Sequence, residues 1–215
     1  MNSSIAIHQL KELKKFASPK MRLAAEWDEK WKVLIATILS AQTRDEKTIE
    51  ICEILFKKYP TLERFKNAKL NSIQKIIRSI NYYKTKSKHI LATAKIISKN
   101  GIPQTCDELL ILPGVGRKVA NVYLAEAHKS NAIGVDTHVG RISRKLGWTK
   151  NLNPHKVEKD LEKLFPKRYW RSINYIVVRF GRTYWSAGMK KKEDEIIEKM
   201  KKSHKNSPQT FINLI

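Results

Sequence analysis

The chain has 215 residues, with 43 Lys+Arg against 20 Asp+Glu and a formal net charge of +23, a length that limits it to one large domain or two small ones. Although 29% of the residues are charged, 41% are hydrophobic, and five Trp, seven Tyr and six Phe supply enough apolar surface for a core, which excludes a wholly disordered chain. The excess positive charge points to a polyanion, because each phosphate neutralised by Lys or Arg releases condensed counterions; nucleic acid leads, while a membrane-surface protein, a ribosome-associated protein or an organism with generally basic proteins also fits the composition.

At the N-terminus, Lys11, Lys14 and Lys15 interrupt the stretch early, so it lacks the apolar core and cleavage site of a secretory signal. The longest mostly apolar run, from Val33 to Ala41 with Thr37 and Ser40 inside it, is roughly half of what a bilayer span needs. No membrane-spanning helix is expected, and the protein is expected to stay in the cytoplasm. Beyond the break at Tyr59-Pro60-Thr61, apolar residues recur at helical spacing: Ile73, Ile76, Ile77 and Ile80, then Ile90, Ala94 and Ile97. Asn100-Gly101-Ile102-Pro103 and Leu112-Pro113-Gly114-Val115-Gly116 punctuate the middle of the chain. The pattern resumes with Val139, Ile142 and Leu146, breaks at Gly147-Trp148 and Asn153-Pro154, and continues through Val157, Leu161 and Leu164 and then Ile173, Ile176, Val177 and Phe180. The spacing predicts an all-α protein of about ten helices. No long linker divides the chain, so any two lobes are closely packed. The last thirty residues mix Lys190, Lys191, Lys192, Lys199, Lys201, Lys202 and Lys205 with Glu193, Asp194, Glu195 and Glu198, and read as one charged helix followed by a loosely held tail.

Two cysteines, Cys52 and Cys106, cannot make a disulfide framework and are too few for a four-thiolate metal or iron–sulfur site. Both read as small core hydrophobes of a reduced cytosol, with their mutual pairing left open.

The segment from Thr105 to Glu126 carries the most information. Thr105 with Glu108 three positions on forms a capping box for a short helix carrying Leu109, Leu110 and Leu112. Pro113-Gly114-Val115-Gly116 then forces a tight turn, and Val119, Val122 and Tyr123 open a second helix. Two glycines allow positive φ and a close approach of another chain, leaving N–H groups of the second helix aimed outward at a phosphate; the alternative is an ordinary packing turn. Lys118 lies in the first turn of that helix, where the positive end of the dipole disfavours its charge, and a neutral amine is a nucleophile. It reads equally as one more phosphate-contacting lysine. Further on, Gly134-Val135-Asp136-Thr137-His138-Val139 leads into a helix that Asp136 is placed to cap. Capping alone would account for Asp136, but a carboxylate and a lysine at two helix starts also make an acid–base pair.

LPGVGRKVA at 112–120 followed by VDTH at 135–138 resembles the active-site signature of endonuclease III, in the helix–hairpin–helix superfamily of DNA glycosylases. Leu39-Ser40-Ala41-Gln42-Thr43-Arg44-Asp45 resembles that family's LSAQ-x-x-D segment, Asn81-Tyr82-Tyr83-Lys84-Thr85-Lys86 its G-[LF]-Y-x-x-K segment, and Phe180-Gly181-Arg182 its HGR. The blocks run in family order across about residues 25–185. The resemblance implies a two-lobed all-α fold: a six-helix barrel with the helix–hairpin–helix over 23–130, and a second lobe formed by 1–22 and 131–215, with DNA across the cleft. It further implies a bifunctional DNA N-glycosylase and abasic-site lyase of base excision repair, which removes oxidised pyrimidines through a lysine imine and cuts the strand by β-elimination. Lys118 matches the nucleophile and Asp136 the carboxylate that assists it. Gln42 and Tyr82 match positions that fill the space left by a flipped nucleotide and wedge the opposite strand, and Lys86, Gly114, Val115, Gly116 and Arg117 join them as DNA-binding residues. Asp45 and His138 match pocket positions, His138 reading equally as a surface residue. The implied partner is double-stranded DNA with damaged bases or abasic sites, met by a monomer with no membrane association.

The chain departs from the family at two places. Trp185 stands where the first of four cluster-binding cysteines would be, and no cysteine follows Cys106, so no [4Fe–4S] cluster and no other metal or cofactor is expected. A cluster of Tyr184 and Trp185 on Ile196, Ile197 and Met200 would have to replace it. Asn81 replaces the family glycine, and Asn tolerates positive φ better than most residues. The rival functions are a monofunctional glycosylase for mismatched adenine or thymine, whose members generally lack the lysine, and a noncatalytic helix–hairpin–helix DNA-binding protein.

Overall fold

The computed structural model describes residues 1–203, and the expected C-terminal tail lies outside them. The described residues form twelve α-helices and two 3-10 turns, an all-α fold with two more α-helices than the sequence pattern predicts. The extra ones come from single turns that apolar periodicity does not resolve, such as the five-residue helix Leu62–Lys66, which Thr61 caps.

Two compact units make up the chain, dividing at 21/22 and 134/135 rather than at the expected 22/23 and 130/131. The second boundary lies later because Ile133 is buried and its carbonyl accepts a bond from Asn121 Nδ2 at 2.9 Å, which ties this segment to the helix before it.

The central unit holds seven helices rather than six: α2 (Lys30–Ser40), α3 (Asp45–Lys58), α4 (Leu62–Lys66), α5 (Leu70–Ile76), α6 (Tyr83–Asn100), α7 (Cys106–Leu110) and α8 (Arg117–Ala127). Trp31 and every residue from Val33 to Leu39 are buried, so α2 is apolar nearly all round and runs through the middle of the unit. Phe56 and Phe65 pack on Trp31 with centroids at 5.3 and 5.6 Å. Cys52 is fully buried here, burial pushes its thiol up, and neither it nor Cys106 is in a disulfide.

The other unit joins α1 (Ser3–Phe16) to α9 (Thr137–Leu146), α10 (Pro154–Leu164), α11 (Trp170–Thr183) and α12 (Lys190–Ser203). Its core is built from the periodic residues Leu10, Leu13, Val139, Ile142, Leu146, Val157, Leu161, Ile173, Val177 and Phe180, all buried. Long-range hydrogen bonds hold the chain's beginning to its later helices: Trp148 Nε1 donates to Gln9 Oε1 at 2.7 Å, Arg179 Nε to the Met21 carbonyl at 2.7 Å, and the Ser18 N–H to Thr183 Oγ1 at 3.0 Å. Each satisfies polar atoms in a part-buried or buried setting. Among the described residues no helix is long and apolar enough to cross a membrane.

Candidate functional site

The hairpin between α7 and α8 is fixed from its own residues upward. Thr105 and Glu108 form the expected capping box, with Thr105 Oγ1 accepting the Glu108 N–H at 3.4 Å. Leu109 and Leu112 anchor the helix in the core, and Thr93 Oγ1 on α6 donates to the Pro113 carbonyl at 2.9 Å. The two glycines that follow serve different ends. Gly114 has φ of +81°, and a β-carbon there would stand 2.9 Å from His89 Nδ1 and 3.1 Å from Ile38 Cγ2, so both its conformation and its neighbours require glycine. Gly116 has an ordinary φ of −96°, and nothing lies within 4 Å of where its β-carbon would be. The expectation of two left-handed glycines is therefore corrected to one. The fold gives no reason for Gly116 to lack a side chain, whereas close approach of a ligand would.

Gly116 is also the N-cap of α8 and offers no side chain to the first turn, where Arg117 and Lys118 stand, both half-buried. Val115, expected to touch DNA, is buried in the core, so only its backbone is available for such contact.

A second group gathers at the ends of α2 and α6. Gln42 and Tyr82 are exposed, and both have left-handed backbone, φ of 55° and 59°. Asn81 does not: the left-handed residue is its neighbour Tyr82, the N-cap of α6. Instead the Asn81 side chain reaches back, Nδ2 donating to the Gln42 carbonyl at 2.5 Å. Lys86 also differs from expectation. It is 6% exposed, and its ammonium donates to the carbonyls of Leu39 (2.7 Å) and Ala41 and to Thr43 Oγ1 (3.2 Å). These bonds close the C-terminal end of α2, whose last carbonyls have no helical partner. A lysine committed to three acceptors inside the fold has no donor left for a phosphate, so Lys86 is corrected from a DNA contact to a support for the turn that carries Gln42. Burial and, to a smaller extent, the charge of Lys118 push its pKa down to about 8. Asp45 is likewise partly committed, its Oδ2 accepting the Ala24 N–H at 3.2 Å.

In the other unit, Asp136 caps α9 as expected, its Oδ1 accepting the Val139 N–H at 2.8 Å. His138 packs closely on α11, where Gly181 leaves room for its ring, and lies edge-on to Trp185 at 5.0 Å between centroids. Trp185 also lies over the Arg141 guanidinium at 5.7 Å. The expected aromatic pair thus divides: Tyr184 turns toward α1, its hydroxyl donating to the Phe16 carbonyl at 3.3 Å, while Trp185 covers α9. Glu193 on α12 is fully buried and meets Arg141 and Lys145 of α9, the latter at 2.7 Å. Sequence reasoning missed this ion pair because a glutamate in a run of lysines reads as solvated surface.

The residues present do not fit a four-thiolate cluster. The sequence holds two cysteines, neither of them after Gly181, and among the described residues no three His, Cys, Asp or Glu side chains are grouped to hold a metal ion.

A model of the HhH-GPD superfamily of base excision DNA repair proteins matches residues 35–167. The endonuclease III of Thermotoga maritima is 42% identical over 155 residues, spanning 71% of this chain and 73% of its own, and that of Bacillus subtilis is 37% identical over 163 residues, spanning 73% and 74%. A solved structure of a trapped endonuclease III–DNA covalent intermediate is 34% identical with a TM-score of 0.78, covering 87% of this chain and 89% of that one. A thermostable thymine-DNA glycosylase, 20% identical with a TM-score of 0.74, shares the fold.

Proposed function

This chain belongs to the HhH-GPD superfamily as an endonuclease III-like DNA glycosylase of base excision repair, and we propose that its reaction is bifunctional: it removes oxidised pyrimidines from duplex DNA and then cuts the strand at the resulting abasic site. The observation that carries this reading is Lys118, an amine in the first turn of a helix that begins directly behind the glycine hairpin. A phosphate-gripping hairpin needs no lysine of that kind, and a monofunctional glycosylase, which activates water instead, has no use for an amine nucleophile.

In the proposed reaction the damaged nucleotide is flipped out of the stack, since its C1′ is unreachable inside the duplex. The deprotonated Lys118 amine bonds to C1′ as the glycosidic bond breaks and the base leaves with its electron pair. The bound nitrogen passes one proton to the departing base and, as the C1′–O4′ bond opens, its other proton to O4′, which leaves an imine. The imine draws electrons from C2′, so a C2′ proton is removed and the C3′–O bond breaks with departure of the phosphate. The motif match gives Asp136 the part of proton acceptor and stabiliser of positive charge on the sugar; capping occupies Oδ1 and leaves the carboxylate a second oxygen. Gln42 can hydrogen-bond the orphaned opposite base and Tyr82 can stack beside it. We propose that a monomer does this without an iron–sulfur cluster.

Borohydride reduction of the imine tests the proposal. Wild type should be trapped covalently on thymine-glycol duplex and Lys118→Ala should not. Trapping that survives Lys118→Ala undiminished would sink the assignment, and base release without any strand cleavage would favour the monofunctional reading.

A further inference from the structure

Among the described residues three non-glycine positions have positive φ, Gln42, Tyr82 and Lys129, and one side chain connects the first two. The Asn81 amide, on the residue before Tyr82, donates to the main-chain carbonyl of Gln42 across 39 positions of sequence. We propose that Asn81 is a positioning residue that couples the turn carrying Gln42 to the turn carrying Tyr82, so that the two exposed side chains enter DNA as a single preset unit. The proposal rests on the assignment of Gln42 and Tyr82 as the inserting residues.

Left-handed backbone at a residue other than glycine costs about 1–3 kcal/mol and persists only where the surroundings over-determine it. At Gln42 the surroundings are specific. Lys86 holds the carbonyls of Leu39 and Ala41 from inside, the Thr43 N–H closes the turn onto the Ser40 carbonyl at 3.1 Å, and Asn81 takes the Gln42 carbonyl from outside. The Thr43 bond acts within the α2–α3 turn, and Lys86 ties that turn to the body of α6, its own N–H donating to the Tyr82 carbonyl at 2.9 Å. The Asn81 bond joins the Gln42 main chain itself to the residue before Tyr82. Position 81 is where the endonuclease III pattern has glycine, which has no side-chain amide to give, so in this chain the bond is an addition to that pattern.

The consequence concerns the insertion step. When two side chains must fill one gap in a base stack, their relative placement is ordered either on binding, at the expense of rate and affinity, or beforehand. A bond from one turn to the main chain of the other does it beforehand. The hairpin at Gly114–Arg117 is the expected phosphate grip, so overall DNA affinity should not depend on the bond.

The test uses Asn81→Ala and Asn81→Gly in the full chain; Asn81 is exposed, and neither change leaves a buried group unpaired. Single-turnover excision of thymine glycol is measured in two duplexes, one with adenine opposite the lesion and one with an abasic analogue there, which removes the need to replace a paired base. Both variants should lose roughly tenfold in rate on the first duplex, the scale of one hydrogen bond, with unchanged DNA affinity and little loss on the second. A 2-aminopurine opposite the lesion should also brighten less than with wild type. Equal losses on both duplexes, or none on either, would overturn the proposal. Gln42→Ala and Tyr82→Ala are run beside them. If these also fail to distinguish the duplexes, the insertion assignment itself is wrong; if they distinguish them and the Asn81 variants do not, only the coupling is wrong.

Discussion

Gly181 lies so close against His138 that a β-carbon on it would stand 2.5 Å from the His138 Nδ1 ring nitrogen. The same atom would meet Ile142 Cδ1 at 2.8 Å. Helices α9 and α11 touch nearly backbone to side chain here, and the packing explains the glycine of Phe180-Gly181-Arg182 with no appeal to DNA. Gly181→Ala should therefore destabilise the fold by about 1–3 kcal/mol through overpacking, read from urea unfolding. Adding His138→Ala should recover part of that loss, and strict additivity of the two changes would show that they do not meet.

The two hairpin glycines should separate by assay. Gly114→Ala places a side chain at φ of +81° and against His89 and Ile38, so it should lower stability by about 1–3 kcal/mol. Gly116→Ala should leave the unfolding midpoint nearly unchanged and weaken retention of duplex DNA, as seen by gel shift at fixed salt. Wild-type retention should itself fall steeply as salt rises, given the net charge of +23.

Lys86→Met should cost about 1–3 kcal/mol, because it strips the donor from the Leu39 and Ala41 carbonyls. The pH dependence carries a sign. Folded Lys86 has its pKa pushed down to about 8 from 10.5, so between those values the unfolded chain binds more protons than the folded one. Stability from this group accordingly rises with pH through that window. The wild-type minus Lys86→Met difference, measured by urea unfolding from pH 7 to 11, should grow as pH rises, and a flat difference would show that the folded chain does not lower this pKa.

Glu193→Ala should cost about 3 kcal/mol, since removing one partner of a buried ion pair strands the other, and Arg141 and Lys145 are themselves partly exposed. Hydrogen exchange should quicken first in α12, where Ile196, Ile197 and Met200 supply the remaining contact. Uniform loss of protection across the chain would argue against a local tie.

The amino-acid sequence by itself determined the helices and several of their caps. Apolar spacing at Ile173, Ile176, Val177 and Phe180, the Thr105–Glu108 box, and Asp136 and Asn153 at helix starts act within a few residues, and local rules carry them without any tertiary contact. The family followed from the order of five short segments. What each motif residue does was decided only in three dimensions. Lys86 looked like a hand for DNA and is a support within the fold; the two glycines looked alike and are not; Glu193 looked solvated and is buried; Asn81 looked like a substitute for a flexible glycine and is a donor to a carbonyl 39 positions away. Each of these depends on a partner distant in sequence. Whether a polar group faces water or a carbonyl is fixed by which helices meet, a property of packing that no local pattern encodes.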